Sequence, residues 1–226
     1  LTLYGIIEEE QREEFLALAR QANAPGWWHQ YGDILSSWFE VYLGLEQAAS
    51  RIRTYEAQFI PGLLQTEEYA RAVIRLSHTH GPIPDTERRV ALRMARQELL
   101  TPSGPNATTL WAVLDEAALR RPLGSREVMR TQLERLVELA EYPNITLQIL
   151  PLRIGSHAAA GGTFTVLRFP EPDLPDIVYI EQLTSALYLD KRQDIDKYLA
   201  VLENLCVQAM SPTETCEFIK KILTEG

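Results

Sequence analysis

Thr163-Phe164-Thr165-Val166-Leu167-Arg168-Phe169, Asp176-Ile177-Val178-Tyr179-Ile180-Glu181-Gln182 and Ser185-Ala186-Leu187-Tyr188-Leu189 follow one another with only short connections. The first two runs are rich in β-branched and aromatic residues, the composition of strands, and the third, shorter, alternates apolar and polar around Leu187 and Tyr188. Parallel strands need a crossover of a dozen residues or more, so connections this short predict antiparallel hairpins or a meander. Upstream, Ile145-Thr146-Leu147-Gln148-Ile149-Leu150 alternates like a strand with one buried face, and Thr108 to Leu114 reads as another. Glu127 to Ala140 and Arg192 to about Met210 carry helical spacing. Ser211-Pro212 then supplies an N-cap and first-turn proline for a closing helix.

The first hundred residues read differently. Glu8 to Ala22 sets Phe15, Leu16, Leu18 and Ala19 against a charged face, the pattern of an amphipathic helix ending before Pro25-Gly26. Ser37 to Tyr55 keeps Trp38, Phe39, Tyr42, Leu43, Leu45 and Ala48 at mostly helical spacing. Thr66 is placed to cap a helix running to about Ile74. Asp85 does the same for one through Leu100, rich in Arg88, Arg89, Arg93 and Arg96. Gly81 to Pro84 and Thr101 to Asn106 read as loops. The expected class is α+β: a helical N-terminal half, a mostly antiparallel sheet of about four to five strands, and C-terminal helices. We read residues 1–226 as a single domain, helical over about 1–100 and sheet-containing over about 107–226.

The chain has 226 residues, 46% of them hydrophobic and 23% charged, ordinary values for a globular protein that buries a core without staples. Its formal net charge of −9 opposes binding to a phosphate backbone. The two cysteines, Cys206 and Cys216, form no metal-ligand spacing, which suits a reducing cytoplasm. No apolar run approaches the ~20 residues of a membrane span, and no signal peptide is visible. Leu1 in place of an initiator methionine reads as a chain trimmed from a longer one.

Cofactor and catalytic signatures are missing: no Gly-Lys-Ser/Thr P-loop, no GxGxxG, no GxSxG elbow, no HExxH. Neither a cofactor, a metal nor a catalytic set is therefore expected. Seven residues stand out as ligand-binding candidates. Tyr55, Glu56 and Gln65 flank the turn at Phe59-Ile60-Pro61-Gly62, either a pocket wall or a structural corner. Asp115 and Glu116 pair carboxylates at a strand end, for acid/base or metal chemistry. Alternatively, Asp115 is a helix cap and Glu116 a partner of Arg120 or Arg121. His157 sits in the small-residue loop Gly155 to Gly162, which is either a ligand cover or a plain connection. Glu181 shares a strand face with Tyr179. Trp27, Trp28, Trp38 and Trp111 read mainly as core, with Trp27 or Trp28 as anchors for a partner protein in the alternative.

Longer motifs carry a resemblance. Tyr4-Gly5, Gly26-Trp27-Trp28, Ile52-Arg53-Thr54-Tyr55-Glu56, Ile60-Pro61-Gly62-Leu63-Leu64-Gln65-Thr66 and Tyr69-Ala70-Arg71 belong to it. So do Leu114-Asp115-Glu116-Ala117-Ala118-Leu119-Arg120-Arg121, Leu150-Pro151, Gly161-Gly162, Tyr179-Ile180-Glu181-Gln182 and Leu187-Tyr188-Leu189-Asp190. Together they resemble the uncharacterised C-terminal domain of Xre-type (Cro/C1-like) helix-turn-helix transcription regulators abundant in actinomycetes. The resemblance implies a regulatory, cytoplasmic domain that senses a small-molecule effector or a small partner protein, as a homodimer. DNA would be reached only through a preceding helix-turn-helix domain that this sequence lacks. A pure interaction module, or an enzyme on the same scaffold, is the alternative.

Overall fold

The computed structural model describes residues 26–76, 85–101, 107–159 and 161–225. The expected Glu8–Ala22 helix and the Gly81–Pro84 linker lie outside them. A 3-10 segment, Trp27–Ile34, leads into helix α1 (Ser37–Ala48), strand β1 (Arg51–Glu56), α2 (Glu67–Leu76) and α3 (Thr86–Arg96). Strand β2 (Thr109–Asp115), α4 (Glu116–Arg120), α5 (Arg126–Leu139) and β3 (Ile145–Leu150) follow. Then come β4 (Phe164–Arg168), β5 (Ile177–Glu181), β6 (Ala186–Leu189), α6 (Arg192–Gln208) and α7 (Pro212–Glu225).

The fold is α+β around one six-stranded sheet in the order β3-β2-β1-β4-β5-β6. The expected antiparallel meander is there, as β4, β5 and β6 pair antiparallel and β4 pairs antiparallel with β1. The other half is parallel: β1 with β2, and β2 with β3. The crossovers between these strands carry α2 with α3 and α4 with α5, the helical excursions that parallel pairing requires. The sheet is thus mixed and one strand wider than expected.

The additional strand is β1, which helical spacing had assigned to the end of the Ser37–Tyr55 helix. The helix stops at Ala48, and Ser50 begins the sheet. Its N–H donates to the Arg168 carbonyl at 2.8 Å, and its own carbonyl accepts from the Thr109 N–H at 3.0 Å. Lying between β2 and β4, β1 is covered on both faces. Ile52 belongs to one hydrophobic cluster and Tyr55 to the other, so no polar face marks it as a strand. Ile52 and Tyr55 also continue the three- and four-residue spacing of the preceding helix.

The sheet divides the interior. Ile52, Leu110, Ala112, Leu114, Leu147, Ile149 and Tyr179 face α1, α2, α5 and α7. Tyr55, Val113, Phe164, Val166 and Val178 face α6 through Ile195, Leu202 and Leu205. Local signals largely hold at helix starts. Ser125 Oγ accepts from the Val128 N–H at 3.2 Å, and Thr66 Oγ1 from the Tyr69 N–H at 3.4 Å. Ser211 and Glu214 close a reciprocal capping box. Asp85 precedes α3 in the left-handed region (φ 62°) and caps it with no side-chain hydrogen bond. The tryptophans depart from the core reading. Trp27, Trp28 and Trp38 are only half-buried, and Trp111 is exposed, its indole N–H donating to Gln148 Oε1 at 2.8 Å. Cys206 and Cys216 are free thiols on separate helices.

Candidate functional site

Strand alternation sends neighbouring residues of β1 to opposite faces of the sheet. Thr54 and Glu56 point to the side of α1 and α3, where a cleft of about 550 Å³ opens between those helices, the Phe59–Gly62 turn and the sheet. That volume is within the range of small-molecule sites. Gln65 and Glu181 line it too, so three of the seven candidates meet there. Tyr179 and Glu181 share this face, as their strand spacing predicts, and Ile180 packs on the other.

The turn at Ile60-Pro61-Gly62 is both corner and wall. Gln65 Nε2 donates to the Ile60 carbonyl at 2.7 Å, and Tyr69 Oη accepts the Ile60 N–H at 3.2 Å. Gln132 ties the same turn to α5 by accepting the Thr66 N–H and donating to the Leu64 carbonyl. Gly62 is not among the glycines at positive φ. What it provides is room, since a Cβ there would lie 3.1 Å from Arg96 Nη1.

Helix α3 contributes the cations. Arg89, Arg93 and Arg96 recur at i, i+4 and i+7, one face of a helix, and all three line the cleft. Arg96 is committed to the protein. Its Nε and Nη2 hold the buried Glu46 carboxylate at 2.9 and 2.8 Å, and its guanidinium lies over the Phe39 and Tyr42 rings. Arg93 donates only to the neutral amide oxygen of Gln65, at 2.9 Å, and is in no salt bridge among the described residues. Buried Arg89 Nε and buried Tyr179 Oη have no hydrogen-bond partner among them. Burial pushes the Glu56 carboxyl up to about 8. Glu181 adds to the rise, while the Thr163 hydroxyl and Arg93 oppose it. At neutral pH Glu56 is therefore largely protonated.

Three other candidates gather across the sheet, at the carboxyl ends of β1 and β2. The Tyr55 hydroxyl lies 3.2 Å from His157 Nε2, and Asp115 Oδ2 lies 3.9 Å from the same nitrogen. His157 is delivered by its loop, in which Gly155 (φ 73°) and Gly162 (φ 91°) take conformations that favour glycine. Burial, and then the Asp115 carboxylate, push the Tyr55 phenol up to about 12, so it remains protonated. Asp115 also caps α4, accepting the Ala117 N–H at 2.8 Å. Glu116 joins neither group. It accepts the Leu152 N–H at 2.9 Å and pairs with Arg120 at 2.5 Å, a tie within the scaffold. Asp115, Glu116, His157 and Glu181 thus do not converge on one pocket. No group of three or more metal-ligating side chains occurs among the described residues.

Residues 39–221 match the family described as a domain of unknown function, DUF5753. The chain belongs to that family. No curated protein and no solved structure matches it. The DUF5753 match spans α1 to α7 nearly complete, and so includes the Tyr55–His157–Asp115 cluster and most of the cleft, all but its rim at Ile34, Leu35, Ser36 and Trp38. No helix among the described residues is long and apolar enough to cross a membrane.

Arg89, Arg93, Arg96 and Glu46 were not among the sequence candidates. A helix rich in arginine reads as a solvated face, and in part it is one, since Arg88 pairs with Asp33 on the outside. The available signal was phase: Arg89, Arg93 and Arg96 share one helical stripe, and Arg88 stands off it.

Proposed function

We propose that this DUF5753 chain is the effector-sensing domain of an Xre-type, DNA-binding transcription regulator, and that the cleft between α1, α3 and the sheet is its effector site. The supporting observation is a small-molecule-sized cleft containing buried polar atoms, Arg89 Nε and Tyr179 Oη, with no hydrogen-bond partner among the described residues. Buried donors left unmatched are costly, so groups like these are expected to serve a ligand or ordered water. The motif resemblance supplies the regulatory setting. The net charge of −9 argues that DNA contact falls to a separate helix-turn-helix domain.

In this reading a ligand bridges α3 and the sheet and favours one arrangement of the helices over another. It regulates only to the extent that its affinity for the two differs. In a homodimer the same shift would alter the spacing of two DNA-binding heads. The test is native mass spectrometry of the protein purified from its own host, compared with the same sample after denaturation. A small molecule that is retained natively and lost on denaturation supports the proposal. A co-purified small protein, with the chain itself at its apo mass, would overturn it in favour of an interaction module.

A further inference from the structure

The chemistry of the cleft also restricts what it accepts. We infer that its ligand is a small organic acid carrying a single carboxylate on an apolar, largely aromatic body, with the carboxylate received by Arg93 and Arg89. The inference rests on the sensing role proposed for this cleft and adds a ligand class to it.

A guanidinium is always charged and presents a planar fork of N–H donors, which a carboxylate matches in two parallel hydrogen bonds. Arg96 shows the arrangement satisfied from within, forked onto Glu46. Arg93, one helical turn away, has only the amide oxygen of Gln65, and Arg89 on the same stripe keeps a buried Nε without a partner among the described residues. The cleft therefore holds two cations placed to meet an anion, beside one whose anion is already supplied.

The remaining charges limit that anion. Glu46 is occupied by Arg96, and Glu56 is held largely protonated by burial, so Glu181 is the carboxylate left to face Arg89 and Arg93. A doubly charged phosphate would meet Glu181 at close range and would press Glu56 further toward its neutral form. A single carboxylate balances the site without that repulsion. A cationic ligand would have to displace or oppose both arginines. Phe39, Phe59, Leu63, Val73 and Leu92 form apolar wall around these polar groups, suited to a hydrocarbon or ring.

Isothermal titration calorimetry on this chain tests the assignment with benzoate, phenylacetate, 4-phenylbutyrate, indole-3-acetate and octanoate. Each is run beside its primary amide, and phenyl phosphate serves as the doubly charged control. At least one acid should bind about tenfold or more tighter than its amide and tighter than phenyl phosphate, the size of effect a charge-assisted fork can give. Arg93→Gln should erase that preference and Arg89→Gln should reduce it, with the amides unaffected. Arg93→Lys, which keeps the charge and loses the fork, should retain part of it and covers the case in which Arg93→Gln fails to fold. Acids that bind no better than their amides, a preference that survives Arg93→Gln, or phenyl phosphate as the tightest probe would each overturn the inference. A neutral or cationic molecule retained in the native mass spectrum would do so too, while leaving the sensing role standing.

Discussion

Glu56, half-buried in the cleft, shows how one side chain makes the whole protein sensitive to pH. Burial pushes its carboxyl up to about 8 from an ordinary value near 4.5, so the folded protein prefers it protonated. Between those two values the native state holds more protons than the unfolded chain, and stability must fall as pH rises. The contribution is fully present below about 4.5 and lost as pH climbs through about 8. Glu56→Gln keeps the shape and polarity of the protonated group and cannot ionise. The variant should match the parent in urea denaturation at pH 5 and exceed it at pH 9. Equal stability at both pH values would place Glu56 in contact with solvent instead. A second prediction concerns Tyr55 on the opposite face of the same strand. Tyr55→Phe removes the hydroxyl beside His157 and should cost about 1 kcal/mol, the ordinary worth of a hydrogen bond. Amide exchange should accelerate across 155–159 and nowhere else. Unchanged exchange there would mean that the loop is held by its own backbone.

Between α1 and α3 the principal polar tie is the Glu46–Arg96 pair, with side chains only 3% and 8% exposed. Two charges taken so far out of water gain little net stability as a pair, yet removing one strands the other. Glu46→Ala should therefore destabilise the protein by about 3–5 kcal/mol in urea denaturation. Glu46→Leu combined with Arg96→Met should recover most of that loss. A double variant no more stable than Glu46→Ala would show that the guanidinium is needed for its packing over Phe39 and Tyr42. The same elements show what the sequence could and could not reveal. Strand β3 was legible to the residue, and α5, α6 and α7 within two, because each carries its own period and Ser125 and Ser211 cap α5 and α7. Strand β1 was not. Its alternation is broken, since Arg51-Ile52-Arg53 alternates but Thr54 and Tyr55 are buried in succession, and its identity depends on β2 and β4 arriving from far along the chain. The site was divided in the same way. Glu56, Gln65 and Glu181 stood out as polar residues in apolar surroundings. Arg89 and Arg93 look like solvent-facing arginines until the turn at Gly62 and the sheet are folded against them.

Across the whole molecule the sheet acts as a partition, with the cleft on one side and the Tyr55–His157–Asp115 cluster under α6 on the other. A ligand held by Arg93 and Arg89 touches α3 directly, and through the cleft walls it reaches α1, the Trp27–Ile34 segment that precedes it, and β1. Binding to the folded state alone stabilises it by RT ln(1 + [L]/Kd), about 2.7 kcal/mol when the ligand is at about one hundred times its Kd. For a chain of this size each kcal/mol moves the melting temperature by about 2–4 °C, so the best-binding acid should raise Tm by about 5–10 °C. Where that stabilisation appears is the more informative measurement. Hydrogen exchange monitored by mass spectrometry should slow most in α3, α1, β1 and the Trp27–Ile34 segment, beyond the uniform slowing of globally opening amides, with α6 showing only the global part. Protection concentrated in α6 would place the ligand beneath the other face, at the Tyr55–His157–Asp115 cluster. Protection confined to α3, with α1 and Trp27–Ile34 unchanged, would mean that the ligand binds without altering the end of the domain from which a preceding DNA-binding head would extend. Binding would then have no structural route to regulation, even with the carboxylate seated as inferred.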